Sequence, residues 1–219
     1  MIPDYSDLPE VDLSDWTYSV YGDVHERLPD DAPPPKGKPV TFTHYFDANL
    51  MFDLLTGRSV TGIIHIVNQT PFDWYCKKQA TSETATYGSE FAAARTCTEQ
   101  VIDIRTTFRY LGVPIKGKSY MFGDNDSVIK SSMHIDAKLH KRHVALSFHR
   151  VRESVAAGII TLGHIRSKLN PSDILSKFWT HNSIWGTLQP LLFWKGDTME
   201  CYSPEDNSQA KSVSFANSM

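Results

Sequence analysis

Four acidic side chains stand where the surrounding pattern asks for something else. Asp47 follows Phe42, Tyr45 and Phe46 at the end of an apolar run, and Glu90 lies one helical step before Ala94 on a stripe that should be buried. Asp124 follows Tyr120-Met121-Phe122-Gly123, and Asp173 comes just after Asn170-Pro171-Ser172. Each has an ordinary explanation by itself. Strand-end acids are commonly solvated, Gly-Asp-Asn strings suit tight turns, and Asp173 suits the positive end of a helix. Taken together they offer ligands that are all oxygen, which suits magnesium, an ion that keeps several waters and needs few carboxylates. Crowded carboxylates repel one another unless cations compensate. Two such ions about 4 Å apart can clamp the attacking and leaving oxygens of a phosphodiester displacement.

Whether these acids meet depends on the elements that carry them. VTFTHYFDA (40–48) reads as a first strand closed by Asp47. GIIHIVNQ (62–69) and FDWYCKKQ (72–79) read as two more, joined through Thr70-Pro71, so the three form an antiparallel meander. A helix is expected over about 84–111, with Ala94, Cys97, Val101, Ile104, Phe108 and Leu111 on its buried stripe and Gly112 and Pro114 as its stop. SYMFGD (119–124) is a fourth strand closed by Asp124, followed by a short helix at 126–131. A second long helix is expected over 138–157, with Val144, Phe148, Val151 and Val155 buried and Gly158 at its C-cap. IITLGHI (159–165) is a fifth strand, and Asn170 caps a last helix with Pro171 in its first turn. The order predicts an α/β fold with helices packed on a sheet. If strands one and four are neighbours, Asp47 and Asp124 project near each other, and a glutamate from the helix after the meander can reach the same spot.

The flanks differ in composition. Residues 1–39 read as an acidic, Pro-rich arm or connection, containing LPDDAPPPKGKP, with Trp16, Tyr18 and Tyr21 able to dock it onto a neighbour or onto the body. The folded domain is expected over 40–202, and 203–219 as a polar, disordered tail. The net charge of −3 hides a balance of −6 over residues 1–40 and +3 over the remainder, which permits a nucleic-acid partner without demanding one. Cys76, Cys97 and Cys201 are widely spaced and match no zinc pattern, so a reducing compartment with buried thiols is the simplest reading. The acidic, proline-broken N-terminus does not resemble a cleavable signal sequence. No apolar run approaches the roughly 20 residues needed to span a bilayer.

FDAN around Asp47, KKQATSETATYGSEF leading into Glu90, FGDNDSV around Asp124 and NPSDILSK around Asp173 resemble, in order, the four motifs of the ribonuclease H domain of copia-type LTR-retrotransposon polyproteins. KLHKRHVALSFHRVRESVAAG is similar to that family's basic helix, and YGDVHERLPDDAPPPKGKPV to its connection from reverse transcriptase. The resemblance spans roughly 40–180. It implies the ribonuclease H-like fold, a five-stranded mixed sheet whose first three strands are antiparallel. It also implies endonucleolytic cleavage of the RNA strand of an RNA/DNA hybrid by a two-metal-ion mechanism during reverse transcription. Asp47, Glu90, Asp124 and Asp173 would then be the metal ligands, with two Mg2+ ions for which Mn2+ substitutes. His164, nine residues before Asp173, resembles the histidine that cellular ribonucleases H carry on a loop before their last carboxylate, and would assist proton transfer or product release. The implied partners are the hybrid and an adjacent reverse transcriptase, with no membrane. The implied location is intracellular, in a cytoplasmic virus-like particle or the nucleus.

Substrate contacts are expected from several positions. Lys77, Lys78 and Gln79 end the third strand on the approach to Glu90, and Arg58 follows the first. Lys138, Lys141, Arg142, Arg150 and Arg152 form a basic helix suited to phosphates. Asn125 and Ser127 flank Asp124, within reach of an RNA 2′-hydroxyl. Trp179, Trp185, Phe193 and Trp194 suit base stacking or a buried interface. His140 and His143 have zinc-like spacing without further ligands. Two departures stand out: Asn49 and Leu50 replace an Asp and a Trp common in the first motif, and Gly123 replaces a common Cys. These departures also suit a catalytically degenerate nucleic-acid-binding or connection module. Another nuclease of the same fold, an integrase or a junction resolvase, is a third reading.

Overall fold

The computed structural model describes Leu8, Trp16, residues 20–139 and residues 141–192. Strands β1 (Phe42–Asp53), β2 (Arg58–Val67) and β3 (Thr70–Lys78) precede helix α1 (Thr86–Tyr110), and strand β4 (Ser119–Gly123) and helix α2 (Asp126–Met133) follow. A 3-10 turn (Arg142–Val144) leads into α3 (Ala145–Ala156), and then come β5 (Ile160–His164), a second 3-10 turn (Ser167–Leu169), α4 (Asp173–Ser176) and α5 (His181–Leu192). The sheet order is β3-β2-β1-β4-β5. β1, β2 and β3 pair antiparallel, whereas β4 runs parallel to β1 and to β5. This is the expected five-stranded mixed sheet of the ribonuclease H-like fold.

Alternation along β1 builds both faces of the sheet. Phe46 and Ala48 join a core with Ile63, Phe91, Ala94, Cys97, Val101, Met121, Phe148 and Val151, beneath α1, α2 and α3. Tyr45 faces the other way, with Ile64, Ile66, Phe122 and Ile165, against Ile174 and Leu175 around α4. His44 and His65 are fully buried with their Nδ1 atoms 2.7 Å apart, and His65 Nε2 lies 3.1 Å from Gln100 Oε1. With Gln100 accepting from Nε2, His65 uses Nδ1 to accept from His44, and both rings are neutral.

Several boundaries differ from expectation, each for a physical reason. β1 does not close at Asp47. It loses β4 after Tyr45 but stays paired with β2 as far as Asp53. The β2–β3 turn falls at Asn68-Gln69, where Asn68 takes φ 55° and accepts from Thr41 N at 3.0 Å. Pro71 lies within β3, a sheet edge, which tolerates the missing donor. Leu111 is exposed rather than part of the buried stripe, because α1 ends at Tyr110 and Gly112 turns the chain with φ 71°. The second long helix begins only at Ala145, so Lys138 and Lys141 lie before it and Arg142 on its leading turn. Asn170 opens not an extended helix but the single turn of α4.

Arg152 is not a surface cation. It is buried, donates to the carbonyls of Ser131 (2.7 Å) and Ile135 (2.8 Å) at the end of α2, and lies 4.5 Å over the Trp16 ring. Trp16 and Tyr21 therefore dock onto the body; Tyr18 lies outside the described residues. Glu26 extends this docking through Arg105 (2.7 Å) and Arg109 (2.6 Å). Cys97 is buried as expected, whereas Cys76 is exposed on the edge strand, donating to the Leu175 carbonyl. Cys201, His140, Phe193, Trp194 and the expected tail lie outside the described residues. Among those residues no helix is long and apolar enough to cross a membrane.

Candidate active site

β1 and β4 are in register at Tyr45 and Phe122, so two residues further along each strand come Asp47 and Asp124, on the face that carries α4. On its other side Asp47 pairs with Gly62 of β2. A Cβ on Gly62 would stand 2.7 Å from the Ser172 carbonyl oxygen, so only glycine lets α4 lie this close to the sheet. Asn170, buried, fastens the approach: its Nδ2 donates to the Phe46 carbonyl at 3.0 Å, and its Oδ1 accepts from the Ser172 hydroxyl at 2.6 Å. Asn49 Nδ2 adds a bond to the Ser176 carbonyl at 3.2 Å. One carboxylate oxygen each from Asp47, Asp124 and Asp173 thereby come within 4.8 Å of one another.

Glu90 reaches this spot from α1. It lines an open cleft of about 380 Å³ with Asp47, Asp124, Asn125 and Lys177, although its carboxylate is not one of the three mutually close groups. Only 2 % exposed, it accepts from Ala48 N at 3.4 Å through Oε1, while Oε2 is buried without a partner. Burial, then the charges of Asp47 and Asp124, hold the Glu90 carboxyl well above its usual range. Burial likewise pushes Asp47 up to about 6, against a hydrogen bond from the Ser176 hydroxyl, with Asp173 adding repulsion. Asp173 is also raised by burial, although Lys177 opposes the shift. Lys177 Nζ sits 2.7 Å from Asp173 Oδ1 and 3.7 Å from Asp47 Oδ2. Burial works against its charge, but these carboxylates leave its pKa raised.

The donor set fits a hard divalent cation. The three groups whose ligand atoms lie close together, Asp47, Asp124 and Asp173, are all carboxylates. Glu90 Oε2 has no partner within the protein, and an ammonium group occupies the place of a positive charge beside Asp47 and Asp173.

The other candidate positions divide. Asn125 lines the cleft and caps α2 by accepting from Val128 N at 3.2 Å, while Ser127 is exposed on that helix. His164, the last residue of β5, is exposed, and its Nε2 donates to the Asp124 carbonyl at 3.1 Å. That carbonyl can only accept, so Nε2 carries a proton. Lys77, Lys78 and Gln79 line a separate groove of about 670 Å³ with Arg95 and His143. There Lys78 pairs with Asp53 at 2.8 Å, and Gln79 is buried, donating to Thr61 Oγ1 (3.0 Å) and the Ser89 carbonyl (2.8 Å). His143 lies 3.1 Å from Glu83. Arg58 and Arg142 are exposed away from the cleft. Trp179 and Trp185 are partly exposed, and Trp179 Nε1 donates to the Asp173 carbonyl at 2.8 Å.

Sequence reasoning passed over Gly62, Asn170, Ser176 and Lys177 as parts of the site. Lys177 left a signal, since it stands four residues after Asp173 on the same helical face. The departure at Gly123 has a steric cause. A Cβ there would fall 2.5 Å from the Phe46 ring, which fills that space.

No family model matches the chain. It is 25% identical over 138 residues to the retrovirus-related Pol polyprotein from transposon TNT 1-94 of Nicotiana tabacum, covering 63% of this chain. It is 24% identical over 144 residues to that from transposon RE2 of Arabidopsis thaliana, covering 65%. The chain spans about 10% of the length of either polyprotein. Among solved structures, it is similar to RNase H1 from Halobacterium salinarum, with TM-score 0.49 and 13% identity over 67% of this chain and 98% of that one. The resemblance to the ribonuclease H domain of retrotransposon polyproteins read from the motifs agrees with the two Pol relatives, and the strand order and register carry the fold.

Proposed function

We propose that this protein is a divalent-metal-dependent endoribonuclease that hydrolyses the RNA strand of RNA/DNA hybrids during retrotransposon reverse transcription, inside the cell. The observation that carries this reading is the convergence of Asp47, Asp124 and Asp173 from β1, β4 and α4 beside the unpartnered oxygen of Glu90. These carboxylates would hold two Mg2+ ions, or Mn2+ in their place. When bound, such ions supply a water acidified toward neutral pH and offset the charge that develops on the phosphate. Ser176 orients Asp47 through its hydroxyl, and Asn170 and Asn49 keep α4 seated so that Asp173 stays within reach. His164 has a free Nδ1 with which to accept or return a proton.

Asn125, which lines the cleft, would contact the RNA 2′-hydroxyl, with Ser127 exposed on the helix that Asn125 caps. Lys77, Lys78, Arg58 and Arg142 would supply phosphate contacts at a distance, weakening with salt; the internal bonds of Gln79 give it a supporting part. The segment 1–39 would serve as the connection to an adjacent reverse transcriptase. The bonds of Lys177 to Asp173 and Asp47 favour a second reading, a binding module whose site is neutralised from within. A labelled RNA/DNA hybrid incubated with Mg2+ or Mn2+ separates the two. The parent should cleave it and Asp124→Asn should not; tight binding without cleavage by either would establish the second reading.

A further inference from the structure

We propose that Lys177 is a tethered cation that holds the carboxylate cluster together in the metal-free protein and competes with the entering ion for Asp47 and Asp173. This rests on the metal-binding reading of the site. The backbone at this point is fixed, because Lys177 N donates to the Asp173 carbonyl at 3.1 Å and Trp179 Nε1 to the same oxygen at 2.8 Å. The side chain is not so confined. It is 34 % exposed at the edge of the cleft, and its ammonium spans from Asp173 Oδ1 at 2.7 Å to Asp47 Oδ2 at 3.7 Å. Both partners belong to the three carboxylates whose oxygens lie within 4.8 Å of one another. An ion entering there would share those carboxylates with the ammonium, and two positive charges at one spot repel. A purely structural ion pair would leave metal affinity untouched. A competing one lowers it, and by reciprocity the ion drives the lysine outward.

The test uses the full chain without nucleic acid. Free Mn2+ is followed by electron paramagnetic resonance during titration of the parent, Lys177→Met, Lys177→Arg and Asp124→Asn. Lys177→Met should bind Mn2+ about tenfold more tightly than the parent, once a positive charge is removed from the site. Its metal-free melting temperature should fall, and Lys177→Arg should stay near the parent on both counts. Independently, the rate at which acetic anhydride labels Lys177 in the parent should rise several-fold on adding Ca2+, relative to exposed Lys116. Parental or weaker Mn2+ affinity in Lys177→Met, or labelling that Ca2+ leaves unchanged, overturns the proposal. If the parent binds no more Mn2+ than Asp124→Asn does, the metal-site reading falls and takes this inference with it.

Discussion

β1 buries His44 and Asp47 within three residues of each other, and the sheet treats them in opposite ways. His44 faces the α1 side, fully buried, and shares a hydrogen bond with His65 among the rings of Phe42, Phe72 and Phe108. Burial, with neighbouring His65 and Arg105, holds His44 well below the usual histidine range, and burial also lowers His65. The pair is neutral and sealed from solvent, with His44 Nε2 left unpartnered. Asp47 faces the α4 side, in a cleft where Asp124 and Asp173 approach it and Lys177 offsets only part of the charge. A polar pair sealed in the sheet serves the fold. The acid cluster differs in lining an open cleft, where an entering ion can reach the orphaned Glu90 oxygen and add to the charge that Lys177 supplies.

The sharpest way to break this contrast is to neutralise one acid. Asp47→Asn should reduce hybrid cleavage by about 1,000-fold, because it removes the ligand shared by the whole cluster. The same change should stabilise the metal-free protein at neutral pH by about 1–3 kcal/mol, since ionising the native acid there carries a penalty that amide does not. Cleavage rates and urea midpoints in EDTA measure the two effects. Reduced stability alongside lost activity would mean that the cluster is a structural network.

The opposite change belongs to the closed region. His44→Ala should destabilise the protein by about 2–4 kcal/mol, through a cavity among aromatic rings and the loss of His65's partner. Mn2+ affinity should stay at the parental value, because the side chain lies on the other face of the sheet. Calorimetry and metal titration of the same sample check both halves.

What the sequence disclosed, and what it hid, follows the same division. Period-two and helical patterns exposed the strands, α1 and the inward position of Glu90, because burial on one face leaves a repeating mark. They misplaced the end of β1, since that end is set by pairing with β2 rather than by any apolar run. Arg152 read as a phosphate contact because its partners are backbone carbonyls at the end of α2, which no pattern of residue types displays. The acids were legible as types at the ends of elements. Gly62, which lets α4 approach, became visible only when β2 and α4 came together, whereas Lys177, which answers the acids, left only its spacing from Asp173 as a sign.

The two regions also oppose each other in pH, and this gives the subtlest prediction. The histidines have folded pKa values below the unfolded 6.5, so stability is complete above that pH. It falls as pH drops further, by about 1.4 kcal/mol per pH unit for each histidine that only the unfolded chain can protonate. Asp47 has a folded pKa of about 6 against an unfolded 3.8. The metal-free native state therefore takes up a proton first and gains stability as pH falls from about 6 towards 3.8. Between these limits the two slopes partly cancel, and melting temperature in EDTA should change little. Saturating Mg2+ keeps the carboxylates ionised, so the metal-loaded protein should lose stability more steeply towards acid, and Asp47→Asn in EDTA should move the same way by less, because Glu90 and Asp173 still take up protons in the native state. Replacing both histidines, as His44→Phe with His65→Leu, should leave the metal-free protein gaining stability as pH falls through this window. Parallel profiles with and without Mg2+ would mean that the acids titrate independently of any ion, and the contrast between the two faces of β1 would then be one of burial alone.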